Sequence, residues 1–210
     1  MSTSKVLTAC GCAGLLGLAL ASFAPAQQPI PVALTPQQRE ILGHMSLVQL
    51  PDGLGGTRKA LRISGVNVQV VNGLGTTATT NGLGNLIVGY NELGNPQGDD
   101  RTGSHNIVGG RMNSFSSAGG LVVGDSNGVW NLWASVSGGI GNSSFGHASS
   151  VSGGQGNTAG GYGSSVSGGH SNSASGTLSS VSGGGYNSSA GSNSSVSGGF
   201  AHSAGGSYNW

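Results

Sequence analysis

The sequence predicts an all-β fold, a parallel β-solenoid (β-roll) of coils about 15 residues long, preceded by a short N-terminal helix and capping strands. Three in-phase columns carry this expectation. Ser-Val-Ser-Gly-Gly recurs at 135–139, 150–154, 165–169, 180–184 and 195–199, aligning Val136, Val151, Val166, Val181 and Val196. Six residues after each valine stand Asn142, Asn157, Asn172, Asn187 and His202, and ten residues after it Gly146, Gly161, Gly176, Gly191 and Gly206. A flexible Ser/Gly linker has no need of a valine in phase, whereas a stack of coils does.

Taken in order, residues 1–26 read as a signal peptide: Lys5, an apolar run from Val6 to Phe23, then Ala24-Pro25-Ala26 as a small-residue cleavage site. Both cysteines, Cys10 and Cys12, lie inside it, so an exported chain is expected to keep neither a disulfide nor a cysteine metal site. Residues 27–46 form a linker and a short helix, since Thr35-Pro36 has the N-cap and first-turn proline and Gly43 is placed as its end. Residues 47–106 are expected to form an N-terminal β cap and the first irregular coils. Within them Leu47–Leu50 and Ala60–Ile63 flank a glycine-rich turn, Val66, Val68 and Val70 alternate like a half-buried strand, and Asn72-Gly73 and Asn81-Gly82 mark turns. Ile87 starts a candidate coil, and an inserted loop at 91–103, carrying Glu92, Asp99, Asp100 and Arg101, is read as solvated and leaving the stack.

The repetitive solenoid is expected to span 107–210. Its upstream phase, counted back from Asn113 and Asn127, puts Ile107 and Leu121 in the valine column. The expected core columns are therefore Ile107, Leu121, Val136, Val151, Val166, Val181 and Val196, with a turn ladder of Asn113, Asn127, Asn142, Asn157, Asn172 and Asn187. Period-two alternation turns the serines that flank each valine outward. Ser135, Ser137, Ser150, Ser152, Ser165, Ser167, Ser180, Ser182, Ser195 and Ser197 then make a surface array. A second column, Phe115, Val129, Ser144, Ala159, Ala174, Ser189 and Ala204, follows eight residues on and loses bulk toward the C-terminus. One valine per coil is a slender core, which leads us to expect a homo-oligomer, most simply a trimer.

Charge excludes several functions. Setting aside Lys5, six basic residues balance six acidic ones, and 126–210 contains no Asp, Glu, Lys or Arg, so a nucleic-acid partner is not expected. Nor does any apolar stretch after the signal reach membrane-spanning length. Polysaccharide-cleaving β-helix enzymes need acidic and basic residues on one face of the coils, and the repeat array has none there, so no enzyme activity and no cofactor are expected. His147, His170 and His202 sit in different columns of the repeat, and with His44 and His105 they read as turn residues rather than a metal line.

The motif Ser-Val-Ser-Gly-Gly-x-x-Asn-x-Ala-x-Gly resembles the head repeats of YadA-type trimeric autotransporter adhesins. That resemblance implies a left-handed parallel β-roll and three chains side by side. Met45–Gly53, Asn81–Glu92 and the repeat array together are similar to secreted bacterial proteins sharing all three segments. Adhesin heads carry a second aliphatic where this chain has glycine, and they lead into a coiled-coil stalk and anchor, patterns this sequence lacks. The expected role is a secreted or cell-surface adhesin-like or structural module contacting an extracellular protein or glycan. Two alternatives are ice binding by the flat Ser-x-Ser array and a purely structural fibre or sheath.

Overall fold

A computed structural model describes residues 33–210; the expected signal peptide lies outside the described residues. The chain divides into two compact units, the first ending at Val66 and the second running from Asn67 to Trp210.

In the first unit, helix α1 spans Pro36–Gly43. Thr35 and Gln38 close its N-terminus reciprocally: the Thr35 hydroxyl accepts the Gln38 N–H at 3.1 Å, and the Gln38 side chain accepts the Thr35 N–H at 2.8 Å. Strands β1 (Met45–Pro51) and β2 (Thr57–Ile63) pair antiparallel, from Met45 opposite Ile63 to Pro51 opposite Thr57. Asp52 holds the turn between them by accepting the Leu54 and Gly56 N–H groups at 2.9 and 2.8 Å. The expected strand at Val66–Val70 does not form; those residues are irregular and exposed. Alternation alone makes no strand without a neighbour to pair with.

The second unit is a parallel β-solenoid of about seven coils. Its first strands are β3 (Leu86–Val88), β4 (Ile107–Arg111), β5 (Ser114–Phe115), β6 (Leu121–Asp125) and β7 (Gly128–Val129). From Ser135 on, each coil contributes two strands of two residues, such as Ser150–Val151 and Thr158–Ala159. One sheet stacks eight strands, including β3, β4, β6 and all the Ser-Val pairs; the other stacks seven, starting from β5 and β7.

The register corrects two expected core positions. Val122, not Leu121, pairs with Val136, and Val108, not Ile107, pairs with Val122. Val108 and Val122 are fully buried, whereas Ile107 is 52% exposed and Leu121 half-buried beside the Ser135 row. The cause is a corner shorter by one residue: Val122-Val123-Gly124 does the work of Val136-Ser137-Gly138-Gly139, so counting six back from Asn127 lands one residue early. Because Ile107-Val108 and Leu121-Val122 are apolar doublets, alternation could not choose between them.

Inside the stack, Val108, Val122, Val136, Val151, Val166, Val181 and Val196 face Phe115, Val129, Ser144, Ala159, Ala174, Ser189 and Ala204. Beside this strip runs a fully buried asparagine spine. Asn157, for example, donates its N–H to Asn142 Oδ1 at 2.9 Å and its Nδ2 to Gly153 and Gly169 carbonyls, both at 2.9 Å. The same pattern links Asn113, Asn127, Asn142, Asn157, Asn172 and Asn187, and His202 closes it by donating its N–H to Asn187 Oδ1 at 2.9 Å. The left-handed turn residue is the one before each asparagine, as at Gly156 (φ +66) and Tyr186 (φ +59).

Glycine is required at two corners for different reasons. Gly154 (φ +83) combines a left-handed backbone with no room, because a Cβ would overlap the Gly169 carbonyl oxygen. At Gly161 φ is ordinary, and it is the Gly176 carbonyl that excludes a side chain.

The loop at 91–103 does not leave the stack. It folds back along the second sheet as an arm, crossing successive coils. Asn91 Nδ2 donates to the Asn113 carbonyl at 3.0 Å, Asn95 Nδ2 to the Asn127 carbonyl at 3.1 Å, and Gln97 Nε2 to the Gly141 carbonyl at 2.9 Å. Its carboxamides satisfy the same kinds of backbone group that the asparagine spine satisfies inside, which outweighs solvation of the loop.

Candidate binding surface

Each coil presents two outer faces and two corners. On the first sheet, Ser135, Ser150, Ser165, Ser180 and Ser195 are half-buried, while Ser137, Ser152, Ser167, Ser182 and Ser197 are exposed. Parallel pairing places Ser135, Ser150, Ser165, Ser180 and Ser195 side by side in one outer row. Toward the N-terminus the same face turns apolar: Leu86, Ile107 and Leu121 extend the row of Ser135, and Val88 and Ile107 are 64% and 52% exposed.

The second sheet carries a hydroxyl column that the sequence reading did not single out. Ser114, Gly128, Ser143, Thr158, Ser173, Ser188 and Ser203 share one register position. Under the arm, the Ser114 hydroxyl donates to the Gly98 carbonyl and the Ser143 hydroxyl to Gln97 Oε1. Gly128 leaves the gap into which the Trp130 indole fits. Ser114 and Ser143 are thereby buried, while Thr158, Ser173 and Ser188 are half-buried and Ser203 is exposed. The sequence signal for this column was available in its small hydroxylated residues recurring at the coil period; the arm that reads it had no period to betray it.

No protein-family profile, curated protein or solved structure matches this chain. Its surface therefore has to be read from its own chemistry.

Aromatic residues gather at the corners. Trp130 stacks on Phe145 at 5.7 Å, His147 on Tyr162 at 5.2 Å, and Trp133 meets His147 edge-on at 4.8 Å. Farther along, Tyr186 lies edge-on to both His170 and Phe200, at 5.1 and 5.4 Å. These contacts run from one coil to the next, so they zip the corners of the stack. His105 is also held: its Nε2 accepts the Asn72 N–H at 3.1 Å, which leaves Nδ1 to donate to the Thr77 carbonyl at 3.0 Å.

The arm's charges serve its own geometry. Asp99 accepts the N–H groups of Gly94 and Asn95, which with nearby Arg101 hold its carboxyl below the usual carboxylate range. Asp125 is lowered likewise by the Ser126 hydroxyl and by Arg111, whose guanidinium bridges adjacent coils at 2.7 Å. Among the described residues, no three His, Cys, Asp or Glu side chains converge as a metal site, and no helix is long and apolar enough to cross a membrane.

Proposed function

We propose that this chain is an exported, non-catalytic adhesin-like β-solenoid that binds other surfaces or proteins through its outer faces and assembles laterally into a homo-oligomer, most simply a trimer. The observation that carries the reading is the uncharged, regularly spaced face of hydroxyl groups, with no Asp, Glu, Lys or Arg after Asp125. A face of this kind offers repeated weak polar contacts rather than a catalytic centre, and repetition converts weak contacts into avidity. Lateral assembly is supported by the exposed aliphatics Leu86, Val88 and Ile107.

Light scattering of the exported chain together with binding to arrays of matrix proteins, glycans and cells tests this reading. A trimer that binds a surface fits it; a folded monomer that binds nothing contradicts it. Assembly into an ordered sheath without ligand binding favours the purely structural role. The flat serine rows also support a second reading, ice binding, for which a thermal-hysteresis assay is decisive.

A further inference from the structure

The arm ends part-way along a track that continues beyond it. At the coil of Ser143, Gln97 uses both ends of its carboxamide: Nε2 donates to the Gly141 carbonyl at 2.9 Å while Oε1 accepts the Ser143 hydroxyl. One coil earlier, Asn95 Nδ2 donates to the Asn127 carbonyl, which already accepts the Ser114 N–H. Asn95-Pro96-Gln97-Gly98 is a turn closed by the Gly98 N–H on the Asn95 carbonyl at 3.0 Å, so two carboxamides are presented to adjacent coils.

The repeat regenerates these partners three more times. Asn142 with Gly156 and Thr158, Asn157 with Ser171 and Ser173, and Asn172 with Tyr186 and Ser188 occupy equivalent positions. Among the described residues nothing donates to the carbonyls of Gly156, Ser171 or Tyr186, and Thr158, Ser173 and Ser188 are reachable from solvent. The wall of Trp130 and Phe145 that flanks the arm gives way to Gly160, Ser175 and Ala190, which leave the track open.

We propose that this track on the second sheet, from Asn142 to Ser188, is a binding site for peptide turns that present carboxamide side chains, of the Asn-x-Gln kind the arm itself displays. A carboxamide fits because it pairs one donor and one acceptor against a carbonyl and a hydroxyl. A carboxylate would set acceptor against the carbonyl acceptor, and an ammonium, though it can donate to both oxygens, leaves the hydroxyl proton without an acceptor. Individual seats are weak, as exposed hydrogen bonds are, and a partner carrying several such turns gains by occupying neighbouring seats. The proposal rests on the solenoid acting as a binding surface and names the chemistry that one of its faces recognises.

The test is retention of the intact chain on a surface bearing many copies of the peptide Gly-Asn-Pro-Gln-Gly, with Gly-Asp-Pro-Glu-Gly as control. Retention on the carboxamide surface is expected to exceed the control at least about tenfold, equivalent to roughly 1.4 kcal/mol. The combined variant Thr158→Val, Ser173→Ala, Ser188→Ala should lose that excess, while Ser152→Ala with Ser167→Ala on the first sheet should keep it. NMR of the unaltered chain gives a reading that needs no variant: soluble peptide should shift the amides at 156–158, 171–173 and 186–188 but not those at 150–152. Equal retention on both surfaces, no retention on either, or shifts confined to other faces would overturn the proposal. Surface or cell binding that persists in those cases leaves the adhesin-like reading intact.

Discussion

Coils headed by Val108 and Val122 and those headed by Val136 onward share one spine and differ in filling. In the first group the residue facing the valine is Phe115 or Val129 and the corner is one residue shorter; the arm lies over both coils and reaches only Gly141 and Ser143 of the next. In the second group the facing residue is only serine or alanine, yet valine and asparagine stay fully buried as far as Asn187. Apolar volume can therefore shrink by several methylenes without disturbing the stack, whereas the asparagine bonding pattern does not change from Asn113 to Asn187. The lesson is that hydrogen-bonded asparagines set the geometry of the coils, and apolar bulk is concentrated where the stack begins.

The largest expected difference between the groups lies in their core substitutions. Phe115→Ala should destabilise by about 3–5 kcal/mol, and Val166→Ala by about 2 kcal/mol, as each loses its transfer energy and leaves a cavity. Urea unfolding followed by circular dichroism checks the order, and an equal cost would erase the contrast.

A smaller effect sharpens the comparison within the second group. Ser144 and Ser189 share hydroxyl bonds with Ser149 and Ser194 at 2.6 and 2.7 Å, while Ser164 and Ser179, which face Ala159 and Ala174, have buried hydroxyls with no partner among the described residues. Ser149→Ala should then cost about 1–2 kcal/mol by orphaning Ser144, whereas Ser164→Ala should be neutral or stabilising. Thermal melts of the two variants should move in opposite directions or differ clearly in size.

The smallest effect concerns the arm, which runs over the first coils and ends at the coil of Val136. Because Asp99 titrates lower when folded than when unfolded, its contribution is complete above the ordinary carboxylate value near pH 4 and is lost as pH falls through the lowered folded value. Acidification should raise the mobility of Gly94–Gly98 in heteronuclear NOE measurements before the asparagine spine responds. Simultaneous loss of both would contradict a separately held arm.

How far the sequence could be read follows from the same contrast. From Ser135 on, a single valine between serines leaves one answer for the inward residue, and the coil, its turns and its outer serines are legible at once. At Ile107-Val108 and Leu121-Val122 two apolar neighbours compete, and only pairing with Val136 decides. The arm could not be anticipated because its charged and proline-containing composition has the character of a solvent loop, while its function in the fold depends on three carboxamides at unequal spacing. The hydroxyls on the second sheet were visible as residues but not as a track, since the meaning of Thr158 or Ser173 comes from what Gln97 does one and two coils earlier, at Ser143.

The central claim is that the asparagine spine contributes more to the repetitive coils than the valine beside it. Native-state hydrogen exchange on Asn157→Ala and Val151→Ala, two changes in one coil, tests it directly. Asn157→Ala keeps its own N–H bond to Asn142 but removes the side-chain bonds to the Gly153 and Gly169 carbonyls and strands the Asn172 N–H, so protection of the coils on both sides should fall by about 3–5 kcal/mol, against about 2 kcal/mol for Val151→Ala. A smaller loss for Asn157→Ala than for Val151→Ala would contradict the account.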